Sequence, residues 1–185
     1  MFDPSTCLSV VSLSGSPAAD SRSGALLRFV ERRLGARAAQ LTQLALRELP
    51  PADLLLARAE TPAIRAAIAA VRDADLVLVA TPVYKAAYSG LLKTFLDLLP
   101  PDALRGKLVL PLATGGSPGH LLALEYALKP VLAALGARHL LDAVFVPDNA
   151  WRDRGGGEPA AEVVERIDEA LRGLTRMPML AAEPC

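Results

Sequence analysis

Asp75-Leu76-Val77-Leu78-Val79-Ala80-Thr81-Pro82 decides the fold. From Leu76 to Ala80 the run is apolar without interruption, so a strand built from it has no face for water. Such a strand belongs inside a parallel sheet covered by helices on both sides. The polar Thr81-Pro82 that follows marks the strand's carboxyl end.

Working outward from this run, the same scheme repeats in both directions. Leu8–Leu13 is a short apolar run that stops at Ser14-Gly15-Ser16-Pro17, and Leu108–Ala113 is another, stopping at Thr114-Gly115-Gly116-Ser117-Pro118-Gly119. Ala38–Leu46 alternates weakly and suits an edge strand, and His139–Val146 is the fifth strand candidate. Between these runs the apolar spacing turns helical. Leu26, Leu27, Val30 and Leu34 share one face of a helix over Ser23–Gly35, and Ala63–Val71 is entered through Thr61-Pro62. Gly90–Leu99 is closed by Pro100-Pro101, and His120–Leu135 carries Leu121, Leu124, Leu128, Val131 and Leu135 on a stripe that ends at Gly136. A last helix runs from about Pro159 to Arg176, after the Gly155-Gly156-Gly157 loop. Strands that alternate with helices predict an α/β fold: one doubly wound, five-stranded parallel sheet with helices on both faces. Pro111 lies inside an interior strand and predicts a bulge or a missing ladder bond there. One domain over residues 1–177 and a disordered tail over 178–185 complete the expected organisation.

Composition narrows the function. The 185 residues carry 20 Lys+Arg against 20 Asp+Glu, which excludes the basic field of a nucleic-acid or membrane-surface binder. Cys7 and Cys185 are neither a disulfide framework nor a metal spacing. No basic region precedes an apolar run at Met1–Leu8, and no stretch reaches the length of a membrane span. A reduced, soluble, cytoplasmic protein is expected. Aromatics are few: four Phe, three Tyr and one Trp, so the core is aliphatic. The three Tyr gather in two segments, while the Phe are spread along the chain.

Ligands of an open parallel sheet bind at the carboxyl ends of its strands. That rule selects three loops: Ser14–Ser23, Thr81–Ser89 and Thr114–His120. The first offers Ser14, Ser16, Ser21, Arg22 and Ser23 before a helix, a set that suits a phosphate monoester. Equally, Ser21 or Asp20 caps the helix and does no more. The second places Tyr84 and Tyr88 around Lys85 directly after a buried strand. They suit a flat ligand, a subunit interface or the local core edge. The third has Gly115, Gly116 and Gly119, which either bring backbone amides close to a ligand or simply turn the chain. Neither the dinucleotide fingerprint, a Walker loop nor a Gly-x-Ser-x-Gly elbow is present. His120 and His139 are too few for a metal site, and Asp73, Asp75 and Asp97 read as helix-end or surface charges. A phosphate loop with aromatic walls and no acid–base apparatus suits a bound redox cofactor that performs the chemistry itself.

The segments Leu13–Pro17, Ser21–Ser23, Ala80–Lys93 and Pro111–Gly116 together resemble the NADPH-dependent FMN reductases, above all the reductase components of two-component alkanesulfonate monooxygenase systems. His120–Ala123 and Tyr126–Leu132 extend the likeness, which covers residues 8–148 and fades after Asn149. The resemblance implies a flavodoxin-like strand order 2-1-3-4-5, with FMN and NADPH as cofactors. It implies that Ser16, Ser21, Arg22 and Ser23 hold the FMN phosphate. Pro82, Val83, Tyr84 and Lys85 would line the isoalloxazine and ribityl chain, with Gly115, Gly116 and Ser117 at the pyrimidine edge. Hydride passes from NADPH to FMN, with no residue needed as acid or base, and reduced FMN leaves for a separate monooxygenase. The resemblance also implies a homo-oligomer, a dimer or tetramer, with Tyr126 in a π-bulge at the subunit interface; pattern alone favours an ordinary core or interface Tyr. A prosthetic-FMN NADPH:quinone, azo or metal reductase and a flavodoxin-like electron carrier are the alternatives. Flavodoxins are strongly acidic, which this chain is not.

Overall fold

The three apolar runs become β1 (Leu8–Ser14), β3 (Leu76–Tyr84) and β5 (Leu108–Gly115), adjacent at the centre of one sheet. In this computed structural model, which describes residues 8–151 and 158–175, β2 (Ala38–Ala45) forms one edge beside β1. Two short strands, β6 (His139–Leu140) and β7 (Val144–Pro147), share the other edge beside β5. All these pairings are parallel. The expected order 2-1-3-4-5 is present, with its fifth strand cut in two. One strand was not expected: β4 (Ala87–Tyr88) folds back antiparallel on the end of β3. The Gly155–Gly157 loop, the tail 178–185 and both cysteines lie outside the described residues.

Pro111 explains the cut. Its pairing with Val79 of β3 is in register, so no bulge forms on that side. On the other side, the Val109 carbonyl accepts from Leu141 N–H at 2.9 Å. Backbone groups of a strand alternate between its two neighbours, so Pro111, two residues on, turns its nitrogen to the same edge. That nitrogen carries no hydrogen. The partner strand is interrupted there, between Leu140 and Val144.

Helices fill both faces because β1 and β3 bury alternate residues on each. On one side Val11, Leu13, Val77 and Val79 meet α3 (Pro62–Arg72), α4 (Gly90–Leu96) and the helix over 121–134, through Ile64, Phe95 and Leu128. On the other, Val10, Leu76, Leu78 and Leu110 meet α1 (Arg22–Leu34) and α7 (Ala161–Arg172), through Leu26, Val30 and Ile167. Each of these fully buried Val or Leu side chains contributes about 1.5–3 kcal/mol by leaving water. A short α2 (Pro51–Leu55) was not read from the sequence.

The helix over 121–134 is not uniform. It runs from a 3-10 turn (Pro118–His120) into α5 (Leu121–Ala123), then a π-helical turn (Leu124–Leu128) and α6 (Lys129–Ala134). Lys129 N–H reaches back five residues, to the Leu124 carbonyl. Pro130, next in line, has no N–H to offer the Tyr126 carbonyl, so the α-helical ladder cannot continue unbroken through this turn.

Candidate functional site

Two of the three loops at the strand carboxyl ends, those after β1 and β3, are tied together by one small network. Gly15 N–H donates to the Ala80 carbonyl at 2.8 Å, which presses the first loop against the end of β3. A Cβ on Gly15 would stand 2.9 Å from Leu92 Cβ, so only glycine fits against α4. Ser89, the N-cap of α4, accepts from Leu92 N–H at 3.1 Å and donates its own hydroxyl to the Gly15 carbonyl. Thr81 Oγ1 accepts from Ser89 N–H at 3.0 Å and donates to the Pro82 carbonyl. Ser89 and Thr81 are buried, so these bonds satisfy groups that would otherwise be costly to desolvate.

Above this network lies a cavity of about 770 Å³. Its first wall is the start of α1: Ser16, Ser21, Arg22 and Ser23 face it, with Ala18, Asp20 and Arg28 beside them. Pro82, Val83 and Tyr84 form the second wall, and Thr114, Gly115 and Gly116 the third. Asp148, just past β7, closes the rim. Ser16 and Ser23 are buried, whereas Tyr84 is 50% exposed, so the cavity is deep and polar at the α1 end and open at the aromatic one.

Ser21 caps α1, accepting from Gly24 N–H at 3.0 Å, so capping and lining the cavity are both tasks of this residue. Ala25 N–H bonds the Ser21 carbonyl, which leaves the N–H groups of Arg22 and Ser23 as the helix's unclaimed first donors. The Arg22 guanidinium reaches across the rim to Asp148 at 3.0 Å. Both groups are more than a third exposed, so the pair adds little stability and yields readily to a stronger anion. Burial pushes the Tyr88 phenol above its ordinary value of 10.0, with the nearby Asp97 adding to the rise and Lys93 opposing it. Among the described residues no cluster of His, Cys, Asp or Glu could hold a metal, and no helix is long and apolar enough to cross a membrane.

Nine of the residues singled out in sequence therefore meet around one cavity: Ser16, Ser21, Arg22 and Ser23, then Pro82, Val83 and Tyr84, then Gly115 and Gly116. Three of the residues expected around the flavin do not line it. Lys85 is the first turn residue of the β3–β4 hairpin and points its φ into the left-handed region, at 48°. Ser117 precedes the 3-10 turn and accepts from His120 N–H through its carbonyl. Tyr126 sits in the π-helical turn, 79% exposed. Arg28 and Asp148 were not read from the sequence, although a signal for each exists. Arg28 follows Ser21 and Gly24 at helical spacing on one face, and Asp148 ends a strand by the same rule that chose the other loops.

The donor set fits FMN. Three serine hydroxyls, two free helix N–H groups and a guanidinium suit a phosphate dianion, and the apolar and glycine walls suit a flat ring system. Comparison with known proteins agrees. Residues 8–152 match the family described as NADPH-dependent FMN reductase. An FMN reductase (NADPH) of Escherichia coli is 51% identical over 140 residues, covering 76% of this chain and 73% of that protein. One from Pseudomonas putida is 46% identical over 162 residues, covering 88% and 82%. The apo crystal structure of an NADH:FMN oxidoreductase (EMOB) superposes with a TM-score of 0.83 at 38% identity, over 95% of this chain and 91% of that one. The flavodoxin-like sheet, the family match and these relatives converge: the chain belongs to the family of NADPH-dependent FMN reductases.

Proposed function

We propose that this FMN reductase takes FMN as a dissociable substrate in the cavity at the strand ends and passes reduced FMN to a separate monooxygenase acting on sulfonates. One observation carries the reading: the unclaimed N–H groups of Arg22 and Ser23 stand with Ser16, Ser21 and the Arg22 guanidinium at the buried end of a cavity that is open at Tyr84. Ser16, Ser21, Arg22 and Ser23 bind the phosphate. Pro82, Val83 and Tyr84 back the ring, while Gly115 and Gly116 offer backbone groups to the pyrimidine edge. The bound flavin supplies the redox chemistry, accepting hydride from NADPH. The chain's own part is to bind, to align the two ring systems and to keep water from between them. The exposed rim and the weak Arg22–Asp148 pair suit a flavin that must leave after each turnover.

Leu122 and Tyr126, 56% and 79% exposed on one helix, support a homo-oligomer whose second copy covers the π-helical turn beside the flavin. π-Helical turns cluster at functional sites. Deleting Tyr126 shortens the π-helical turn by one residue and is expected to change flavin retention and the assembly state. Unchanged FMN exchange, NADPH oxidation and sedimentation would remove that role. The cytoplasm, where NADPH is regenerated, is its expected place.

The decisive experiment mixes purified protein with NADPH and increasing FMN, following nicotinamide absorbance. Oxidation that scales with added FMN over many turnovers is expected, as is sulfite release when an alkanesulfonate monooxygenase and its substrate are added. Flavin that stays bound through gel filtration, with turnover on a quinone but not on free FMN, would replace this reading by a prosthetic-flavin reductase.

A further inference from the structure

A second, smaller cavity of about 270 Å³ adjoins the first, between α1 and the end of β2. One residue lines both: Arg28. Long side chains on a helix lean toward its N-terminus, and Arg28 does so. A Cβ on Gly24 would stand 3.5 Å from its Nη1, so the guanidinium lies over Gly24, one turn from the cavity's phosphate-binding end. Among the described residues it makes no ion pair or hydrogen bond. The neighbouring cations are engaged, Arg22 with Asp148 and Arg47 with Glu48 at 2.6 Å.

The groove it guards is built from polar groups where the fold would favour apolar ones. Val10 of β1 packs beneath α1, and the strand's two-residue period puts Ser12 and Ser14 on that same face. Ser12 is buried and donates to Glu31 of α1 at 2.5 Å, while Gln43 of β2 donates to the other carboxylate oxygen at 2.6 Å. A carboxylate fixed from two sides lines the groove, ready to accept from the N–H and O–H groups of a nucleoside. The unpaired guanidinium stands at its mouth.

We propose that this groove takes the adenosine end of NADPH, with Arg28 binding the 2′-phosphate and so choosing NADPH over NADH. The inference rests on the reading that the larger cavity holds FMN. The nicotinamide then lies over the flavin at the open end, and the dinucleotide runs back past the phosphate wall to Arg28. Guanidinium and phosphate match as a bidentate, charge-assisted pair, and an arginine so placed is a general means of accommodating the 2′-phosphate. Lys85, the other available cation, stands outside both cavities.

The test compares wild-type protein with Arg28→Gln and Arg28→Lys in steady-state kinetics with NADPH and NADH, alongside FMN titration and calorimetry of the FMN-loaded protein with adenosine 2′,5′-bisphosphate and 5′-AMP. Arg28→Gln is expected to raise the KM for NADPH about tenfold or more relative to that for NADH. Arg28→Lys retains part of the preference. In calorimetry the wild type binds the bisphosphate more tightly than 5′-AMP, and Arg28→Gln removes the difference. Equal losses with NADPH and NADH or an unchanged NADPH KM would overturn the proposal, as would a wild type that binds both nucleotides alike. A wild type that does not reduce FMN counts against the FMN reading alone, because the calorimetric comparison needs no turnover.

Discussion

Gly115 has no room for a side chain. A Cβ there would stand 2.7 Å from Nδ1 of His120, whose ring is packed against the end of β5 and whose Nδ1 is buried without a partner among the described residues. Gly115→Ala must therefore displace either the imidazole or the strand end that faces the cavity. A loss of about 1–3 kcal/mol in urea unfolding is expected, with weaker FMN binding by fluorescence titration. Asp148→Asn tests the rim in the opposite sense. It removes a negative charge that competes with phosphate for Arg22, so FMN should bind several-fold more tightly while stability changes by less than about 1 kcal/mol. Weaker FMN binding would mean that Asp148 positions Arg22 instead. At this scale the serines, the Arg22 cation and the glycines were legible, because their chemistry is local to a loop. Arg28 and Asp148 were not. One reaches the site from two turns inside a helix, and the other from a strand end 126 residues beyond Arg22.

The β3–β4 hairpin is the element that the sequence concealed. Val83 pairs with Tyr88 and Tyr84 with Ala87, leaving Lys85 and Ala86 as a two-residue turn with φ of 48° and 63°. Both values lie in the left-handed region, where turns of this kind favour Asn-Gly; Lys-Ala gives no such signal. The two non-glycine residues hold a strained conformation at the cavity's aromatic lip. Ala86→Gly should relieve it and raise stability by about 0.5–1 kcal/mol in denaturant unfolding, the greater freedom of the unfolded chain offsetting part of the gain. An unchanged or lowered midpoint would show that the turn carries no strain. The fold-back also accounts for the pair of tyrosines. Tyr84 faces the cavity on β3, while Tyr88, half-buried on β4, packs against the aliphatic core. A cavity wall and a core edge are both present on one hairpin.

Across the whole molecule the sheet order was readable because the central strands are predominantly apolar on both faces and every crossover holds a helix. The division of the last strand was not, since His139–Val146 is continuous in hydropathy and the interruption comes from Pro111 on its neighbour. Trp151, the single tryptophan, is buried in the core beneath α1 and α7, with Val163 and Ile167 in the same cluster. Its emission therefore reports the packing of one helical layer, while far-UV circular dichroism reports both. Because the two layers share β1, β3 and β5, the two signals should give one coincident urea transition. An earlier tryptophan transition would show that the α1–α7 layer melts by itself.

The notch opposite Pro111 has a consequence for how the protein can change. β7 is held to the sheet by four pairings with β5, from Leu112 to Gly115, and carries Asp148 at its end. β6, across the notch, is anchored separately at Leu108 and Val109. The rim of the binding face is thus mounted on a short bracket of its own, detached from the rest of its strand. Substitutions along that bracket can reset the Arg22–Asp148 pair while the strands beneath the cavity keep their register, so the rim and the architecture are free to vary apart.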